Sequence, residues 1–141
     1  MMQVSARSKG IEITSSIPQD LLIYSDPNML QTILRNYISN AVKFTPKGGK
    51  VGLSAIAKQD NAVEISIRDS GIGMSREMLD NLFRLDIQTN RTGTEGEPST
   101  GLGLLLCREF IEKHGGKIHV ESEEDKGSTF NFIMPGKIHP E

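Results

Sequence analysis

The sequence predicts an α+β fold, a two-layer α/β sandwich in which helices cover one face of a mixed sheet. Two observations lead to this prediction. Apolar residues alternate with polar ones in five short stretches, and they recur every three or four residues in two longer stretches. In chain order the segments are a strand, a helix, two strands, a short helix, a long loop, a helix and two strands. Layering the helices on one face of the sheet buries this whole pattern.

The first half of the chain predicts a strand, a long helix and a hairpin. The strand contains Ile11 and Ile13. The helix begins at Asp26-Pro27, because Asp can cap free amides and Pro suits the first turn, and it ends near Phe44. Alternation on both sides of a turn at Asp60-Asn61, within residues 51–67, predicts the hairpin. The predicted core stripe of the helix is Leu30, Leu34, Tyr37, Ile38 and Ala41.

The second half predicts a short helix, a loop, a second long helix and two more strands. Ser75 can cap the short helix. Residues 84–99 have no apolar period and are rich in Thr, Gly and Glu, which indicates a functional or disordered loop. The second long helix spans about 102–114 and is closed by Gly115-Gly116. The last two strands lie within residues 118–132.

The composition of the chain limits the classes of protein to which it can belong. The 141 residues include 36% apolar side chains, enough for one core, and we expect a single domain over 1–141 with its core at about 10–135. A net charge of −2 gives no basic face for nucleic acid. No apolar run approaches the roughly 20 residues of a membrane span. The single cysteine, Cys107, rules out an internal disulfide and fits a reducing compartment. We expect a monomeric cytoplasmic domain without direct membrane contact, although its parent protein could be anchored.

Three polar residues of the first long helix form a candidate ligand-binding face. Asn36, Asn40 and Lys43 lie at i, i+4 and i+7 and therefore share one side of the helix. A solvated face is the simpler alternative, but Asn is a poor helix former and this side should meet the glycine-rich loops. Asn40 could offer its carbonyl oxygen to Mg²⁺, and Lys43 could offer a positive charge to phosphate.

Two glycine pairs provide a second indication. Asp69 ends a strand and opens the stretch Asp69-Ser-Gly71-Ile-Gly73, which could be an ordinary turn. Its carboxylate could instead accept a hydrogen bond from an amino group such as that of adenine. Gly101 and Gly103 open a helix, where unpaired amides favour anions, so the two pairs together favour a nucleotide site.

Several other active-site classes are excluded by their missing motifs. The sequence contains no G-x-x-x-x-G-K-[ST] loop, no third glycine of a dinucleotide fingerprint and no H-E-x-x-H. It has no G-x-S-x-G elbow, and its three histidines are scattered. The chain therefore brings no evident nucleophile to its candidate site.

These motifs resemble, over about residues 10–135, the catalytic and ATP-binding domain of two-component sensor histidine kinases. That family shares the Bergerat ATP-binding fold with gyrase, mismatch-repair and heat-shock-chaperone ATPases. The matching segments occur in the family's order: an N box at 36–45, a first glycine box at 69–73, an F box around Phe83, a second glycine box at 100–104 and a terminal Gly127-Ser-Thr-Phe130.

The resemblance implies roles for individual residues. Asn40 would coordinate Mg²⁺ and, with Asn36 and Lys43, would form the catalytic set. Residues 84–99 would become a lid over ATP, and Phe83 would couple nucleotide state to partner docking, unless it is simply a core residue. The implied nucleotide-binding set is Asn36, Asn40, Lys43, Phe44, Asp69, Gly71, Gly73, Arg91, Thr100, Gly101, Leu102, Gly103, Leu104 and Thr129.

Position 36 separates two activities within the superfamily. Hydrolytic relatives carry Glu there as a general base, whereas this chain carries Asn36, which accepts a proton poorly. A histidine kinase needs no such base, because neutral imidazole is already a nucleophile. We therefore expect transfer of the γ-phosphoryl of Mg-ATP to a histidine on a separate helical dimerisation domain, followed by relay to a response regulator.

Two departures from the family keep alternatives open. Pro98-Ser99 replaces the usual Lys-Gly before the second glycine box, so the chain could be a degenerate nucleotide-binding module with impaired catalysis. A stand-alone ATPase is the other alternative. No phosphoacceptor histidine motif precedes Gly10, so we expect one domain of a longer protein that cannot phosphorylate itself alone.

Overall fold

Five strands and three helices make up the part of the chain that the computed structural model describes, residues 9–16, 27–59, 62–81 and 102–135. The strands are β1 (Glu12–Ser16), β2 (Lys50–Ala57), β3 (Ala62–Asp69), β4 (Lys117–Glu123) and β5 (Gly127–Pro135), and the helices are α1 (Pro27–Lys43), α2 (Arg76–Asn81) and α3 (Leu102–Lys113). Their order is the predicted one. The expected hairpin turn at Asp60-Asn61, the loop 84–99 and Phe83 lie outside the described residues.

The strands form one mixed sheet, as predicted. Their spatial order is β1-β2-β3-β5-β4. β1 runs parallel to β2, and the chain between them contains α1, as a parallel pair requires a crossover. The other three pairs are antiparallel.

One face of the sheet holds the core. Val63, Ile65 and Ile67 of β3 are buried, whereas Arg68 on the opposite face is exposed. The β3–β5 register sets Ile67 beside Phe130, so the apolar side chains of neighbouring strands share this face. They form one cluster with Ile33, Tyr37 and Ala41 of α1 and with Leu104, Cys107 and Ile111 of α3. Helices therefore cover one face, which confirms the predicted two-layer sandwich.

The row of α1 residues that faces the centre of the core differs from the predicted row. Ile33, Tyr37 and Ala41, spaced four residues apart, are buried at 1%, 1% and 3% exposure. Three members of the predicted stripe are only partly buried and flank it: Leu30, Leu34 and Ile38. Because α1 carries apolar residues on both sides of this line, its period identifies the apolar side but not which row faces the sheet.

The ends of α2 and α3 follow the expected capping chemistry. The Ser75 hydroxyl accepts a hydrogen bond from the Met78 amide at 3.2 Å. Gly115 has a φ of +79°, and the Gly116 amide donates to the Ile111 carbonyl at 2.8 Å. Of the helices in the described ranges, none combines the length and apolarity needed to cross a membrane.

Tyr37 joins α1 to the centre of the sheet. Its ring lies 5.2 Å from the ring of Phe130 and 5.7 Å from that of Phe132, in tilted arrangements that aromatic pairs favour. Within the described residues its hydroxyl has no hydrogen-bond partner. Burial, and then the nearby Cys107 thiol, raise the pKa of this hydroxyl. The Tyr37 ring therefore stabilises the packing while its hydroxyl opposes it.

We expect Tyr37→Phe to stabilise the protein by about 1 kcal/mol, because the change removes a buried unpaired hydroxyl and keeps the ring. Urea unfolding should give a higher midpoint with an unchanged slope. A lower midpoint would show that the hydroxyl has a partner and would contradict this account.

The pKa of Cys107 predicts how stability changes with pH. Burial raises the pKa of this thiol from 9.0 to about 12. Between these values the unfolded chain binds fewer protons than the folded one, so stability should fall as pH rises, by up to about 1.4 kcal/mol per pH unit. Cys107→Ala should lower stability at pH 7 through a cavity but flatten its decline between pH 9 and 10, as measured by urea unfolding under reducing conditions. An unchanged slope would contradict the raised pKa.

Candidate functional site

The predicted polar face of α1 is present and half-buried. Asn36, Asn40 and Lys43 are all of intermediate exposure. The Asn36 side-chain Nδ2 donates to the Thr32 carbonyl one turn earlier, at 2.8 Å, which leaves its Oδ1 as an acceptor. The Asn40 side chain makes no hydrogen bond to any other described residue. An amide held at half-burial without a partner in this part of the chain is suited to bind a ligand.

Buried polar contacts hold the end of α1, and they involve residues outside the predicted site. Thr45 is fully buried, and its hydroxyl donates to the Ala41 carbonyl at 2.6 Å. Lys9 is buried as well, and its Nζ donates to the carbonyls of Val42 and Lys43 at 2.9 and 3.2 Å. The position of Thr45 in the N box was a usable signal, whereas nothing in the local pattern around Lys9 predicts its burial.

Asp69 and the first glycine box meet this helix end. Asp69 ends β3 at 7% exposure, and its Oδ1 accepts a hydrogen bond from the Gly71 amide at 2.8 Å. The next amide, of Ile72, donates to the carbonyl of Phe44 at 3.0 Å. On its other side, the Ile72 carbonyl accepts from the Asp125 amide at 2.8 Å. The glycine box is thus held between the end of α1 and the β4–β5 turn.

Gly71 and Gly73 are required for this loop to pack against its neighbours. A Cβ on Gly71 would lie 2.2 Å from the Phe44 carbonyl oxygen. One on Gly73, whose φ is +68°, would lie 2.0 Å from the Glu123 carbonyl oxygen. In both cases the nearest atom belongs to another backbone segment, so the two glycines let three loops pack closely beside the candidate site. A direct role of these glycines in nucleotide binding stays a prediction.

Two serines also hold the first glycine box in place, and the sequence motifs did not identify either of them as a site residue. The Ser122 hydroxyl accepts a hydrogen bond from the Met74 amide at 2.8 Å and donates to the Gly127 carbonyl at 3.1 Å. Ser128 lies 2.8 Å from it, oxygen to oxygen. Ser128 is also the register partner of Asp69, so it stands beside the candidate adenine contact. The terminal Gly-Ser-Thr-Phe motif pointed to this place, and within it Ser128 is the residue that pairs with Asp69.

Thr129, which the resemblance included in the nucleotide set, does not join the other site residues. It pairs in register with Arg68 and Glu121, both exposed, and it neighbours buried Phe130. Because side chains alternate along a strand, Thr129 lies on the face of the sheet opposite the helices. Its side chain therefore stands on the other face of the sheet from Asp69, and its part in nucleotide binding stays a prediction.

The second glycine box is described only in part. α3 begins at Leu102, as predicted, so Gly103 stands in its first turn. Leu104 is buried in the core at 7% exposure, so only its backbone could contact a ligand. The remaining predicted residues of this region, Arg91, Thr100 and Gly101, lie outside the described residues.

A metal cage built from protein side chains is not found in the part of the chain that the structure describes. Over residues 9–16, 27–59, 62–81 and 102–135, no three His, Cys, Asp or Glu side chains come together as a metal site. Magnesium commonly takes one or two protein oxygens and fills its other positions with water and substrate phosphates. An amide such as Asn40 fits that partial role, so a cation here would need oxygens from a bound ligand.

Comparisons with known proteins agree with this geometry. The model of the family described as "Histidine kinase-, DNA gyrase B-, and HSP90-like ATPase" matches residues 25–138. The adaptive-response sensory kinase SasA of Synechococcus elongatus is 37% identical over 130 residues, which cover 92% of this chain and 33% of that protein. The chain therefore spans about a third of the length of the curated relatives it matches.

Solved structures share the fold. The catalytic domain of histidine kinase ThkA matches with a TM-score of 0.80 at 30% identity, over 96% of this chain and 85% of that one. Full-length ShkA in complex with AMPPNP matches with a TM-score of 0.79 at 34% identity, over 95% and 27%. ThkA in complex with the response regulator protein TrrA matches with a TM-score of 0.75 at 26% identity, over 96% and 37%.

Gly71→Ala should destabilise the fold, because the added Cβ would displace the Phe44 carbonyl and break its hydrogen bond with Ile72. Overpacking of this kind costs about 1–3 kcal/mol, which urea unfolding would measure. Gly52→Ala is the matched control, since among the described residues its Cβ would meet only the Thr14 hydroxyl, at 3.6 Å. Equal midpoints for the two variants would contradict the close packing.

Proposed function

The chain belongs to the family of histidine kinase-, DNA gyrase B- and HSP90-like ATPases, and from that premise we propose that it binds Mg-ATP and transfers the γ-phosphoryl group to a histidine. The acceptor would lie on a separate helical dimerisation domain, and a response regulator would receive the group downstream. The AMPPNP complex of ShkA supports the nucleotide, and the ThkA–TrrA complex supports the regulator.

One observation carries the proposal. The hydrogen bond from the Ile72 amide to the Phe44 carbonyl joins two segments that are far apart in sequence. One segment supplies the amide and ammonium groups of Asn40 and Lys43, and the other supplies the carboxylate of Asp69. A ligand that bears both an amino-substituted base and phosphates requires this combination, and ATP is such a ligand.

Asp69 would recognise the base. Its Oδ1 already accepts the Gly71 amide, which fixes the orientation of the carboxylate. A carboxylate has about four acceptor positions on its two oxygens and can accept several donors at once, and an amino group of adenine would be one of them. Its low exposure strengthens such a hydrogen bond, because little water competes for the same oxygen atoms.

Asn40, Asn36 and Lys43 would act on the phosphates. Asn40 would give its carbonyl oxygen to Mg²⁺, with Asn36 supporting the same region. Lys43, in the last turn of α1, would contact the phosphates as a point charge. When bound, Mg²⁺ would neutralise phosphate charge. The residues of this chain would orient the nucleotide, which is most of what phosphoryl transfer needs.

In the transfer, the bond between the γ-phosphorus and the bridging oxygen breaks, and a bond between that phosphorus and an imidazole nitrogen forms. ADP leaves with the electron pair of the broken bond. The acceptor nitrogen attacks through its own lone pair, so no base on this chain must remove a proton first. Asn36, whose amide donates to the Thr32 carbonyl, suits this reaction better than the hydrolysis of ATP.

The proposal also includes the extent of the domain and its location in the cell. Residues 1–141 would form one catalytic domain, monomeric in isolation and working in the cytoplasm. A net charge of −2 gives no reason to add nucleic acid to its partners.

Calorimetric titration with ATP, with and without Mg²⁺, tests the binding step. We expect Asp69→Asn to weaken ATP binding at least tenfold, about 1.4 kcal/mol, by disturbing base recognition. Asn40→Ala should abolish most of the gain that Mg²⁺ gives. Asp80→Asn and Asn28→Ala are matched controls at exposed positions of α2 and α1 and should bind as the unchanged chain does. Absence of binding at millimolar ATP would refute the proposal.

Radiolabelled ATP tests the transfer step. With the helical dimerisation domain of its parent kinase, we expect a labelled product that is stable to alkali and labile to acid, as a phosphorus–nitrogen bond is. Steady phosphate release without that partner, lost in Asn40→Ala, would instead identify an ATPase. Binding without transfer, restored by Pro98→Lys with Ser99→Gly, would identify a degenerate module.

A further inference from the structure

A lysine lies buried beneath the end of the helix that carries the polar face. Lys9 is only 6% exposed, and its Nζ donates to the carbonyls of Val42 and Lys43. Lysine is almost never fully buried unless its ammonium group is paired. The two hydrogen bonds, at 2.9 and 3.2 Å, therefore join the chain before β1 to the last turn of α1.

This contact answers the main electrostatic need of a helix end. The last four carbonyls of a helix lack partners within the helix, and the helix dipole makes this end partly negative. Lys9 supplies a positive donor to two of these carbonyls, and the hydroxyl of Thr45 donates to the Ala41 carbonyl. The amide of Phe44 donates to the carbonyl of Asn40 at 3.2 Å. Each carbonyl of residues 40–43, in the final turn of α1, therefore accepts a hydrogen bond.

The backbone of Lys9 is fixed as well. Its carbonyl accepts a hydrogen bond from the Gly48 amide at 3.0 Å, in the turn that leads to β2. Lys9 thus bridges the end of α1 and the turn that follows it. Both ends of the segment 44–48 are held by this one residue.

We propose that Lys9 is a positioning residue for the phosphates of the nucleotide, an inference that rests on the function proposed above. By holding the carbonyls of Val42 and Lys43, it fixes the backbone from which the Lys43 ammonium reaches the ligand. It does not touch the base contact, because Asp69 is positioned by β3 and by its own hydrogen bond with Gly71. Lys9 therefore acts on phosphate binding more than on adenine binding.

The ratio of ATP affinity to adenosine affinity tests this role. Each variant is titrated with both ligands at a temperature at which circular dichroism shows it folded. Lys9→Met, which keeps the length of the side chain but has no donor, should lose about fivefold in ATP affinity and less than twofold in adenosine affinity. Lys9→Arg, which keeps a cationic donor, should recover most of the ATP affinity. Lys117→Met, at an exposed position of β4, removes the same charge and should match the unchanged chain.

Other results of this experiment would contradict the proposed role of Lys9. Equal losses for both ligands, or no loss, would make Lys9 a purely structural residue and overturn the inference. If Lys9→Met does not fold, the same ratio is measured on Lys9→Gln, whose amide can still donate to one carbonyl. Failure of the unchanged chain to bind ATP would refute the proposed function itself, and with it the premise of this role.

Discussion

A single backbone hydrogen bond, from the Ile72 amide to the Phe44 carbonyl, fixes the relation between the two halves of the candidate site. It can form only because residue 71 is glycine, since any Cβ there would occupy the space of the Phe44 carbonyl oxygen. Asp69 contributes from the other side, because its carboxylate holds the Gly71 amide and so sets the course of the loop. The helix end and the strand end are therefore fixed as one unit.

The core makes that unit rigid by giving α1 two distinct sides. Tyr37 packs against Phe130 and Phe132 at the centre of the sheet, while Asn36 and Asn40, on another side of the same helix, remain half-buried. A rotation of the helix that exposed the asparagines further would also withdraw the Tyr37 ring from its partners. The packing that stabilises the fold thus also sets the orientation of the polar face.

The fold and most of the site were predictable because their signals are local. Helix and strand periods, the Ser75 cap and the turn chemistry after Asp69 depend on neighbours in sequence. Other features depend on tertiary contacts that no local pattern encodes. Whether Ser128 or Thr129 stands beside Asp69 is decided by strand parity, which shifts with a single residue of register. The burial of Lys9 likewise follows from where the chain before β1 meets the end of α1.

Under the proposed function, the rate of transfer depends on how this chain orients the nucleotide and not on a catalytic base. The acceptor imidazole brings its own nucleophile, and Asn36 cannot usefully take a proton, so this chain contributes orientation and charge. Orientation of the phosphates depends on the last turn of α1, which Lys9 connects to the chain before β1. A displacement of that segment would move the helix end directly, whereas Asp69 is also held by β3 and by its hydrogen bond with the Gly71 amide. The same contact that stabilises the helix end is therefore a place where phosphate positioning, and with it the rate, can be changed with a smaller effect on recognition of the base.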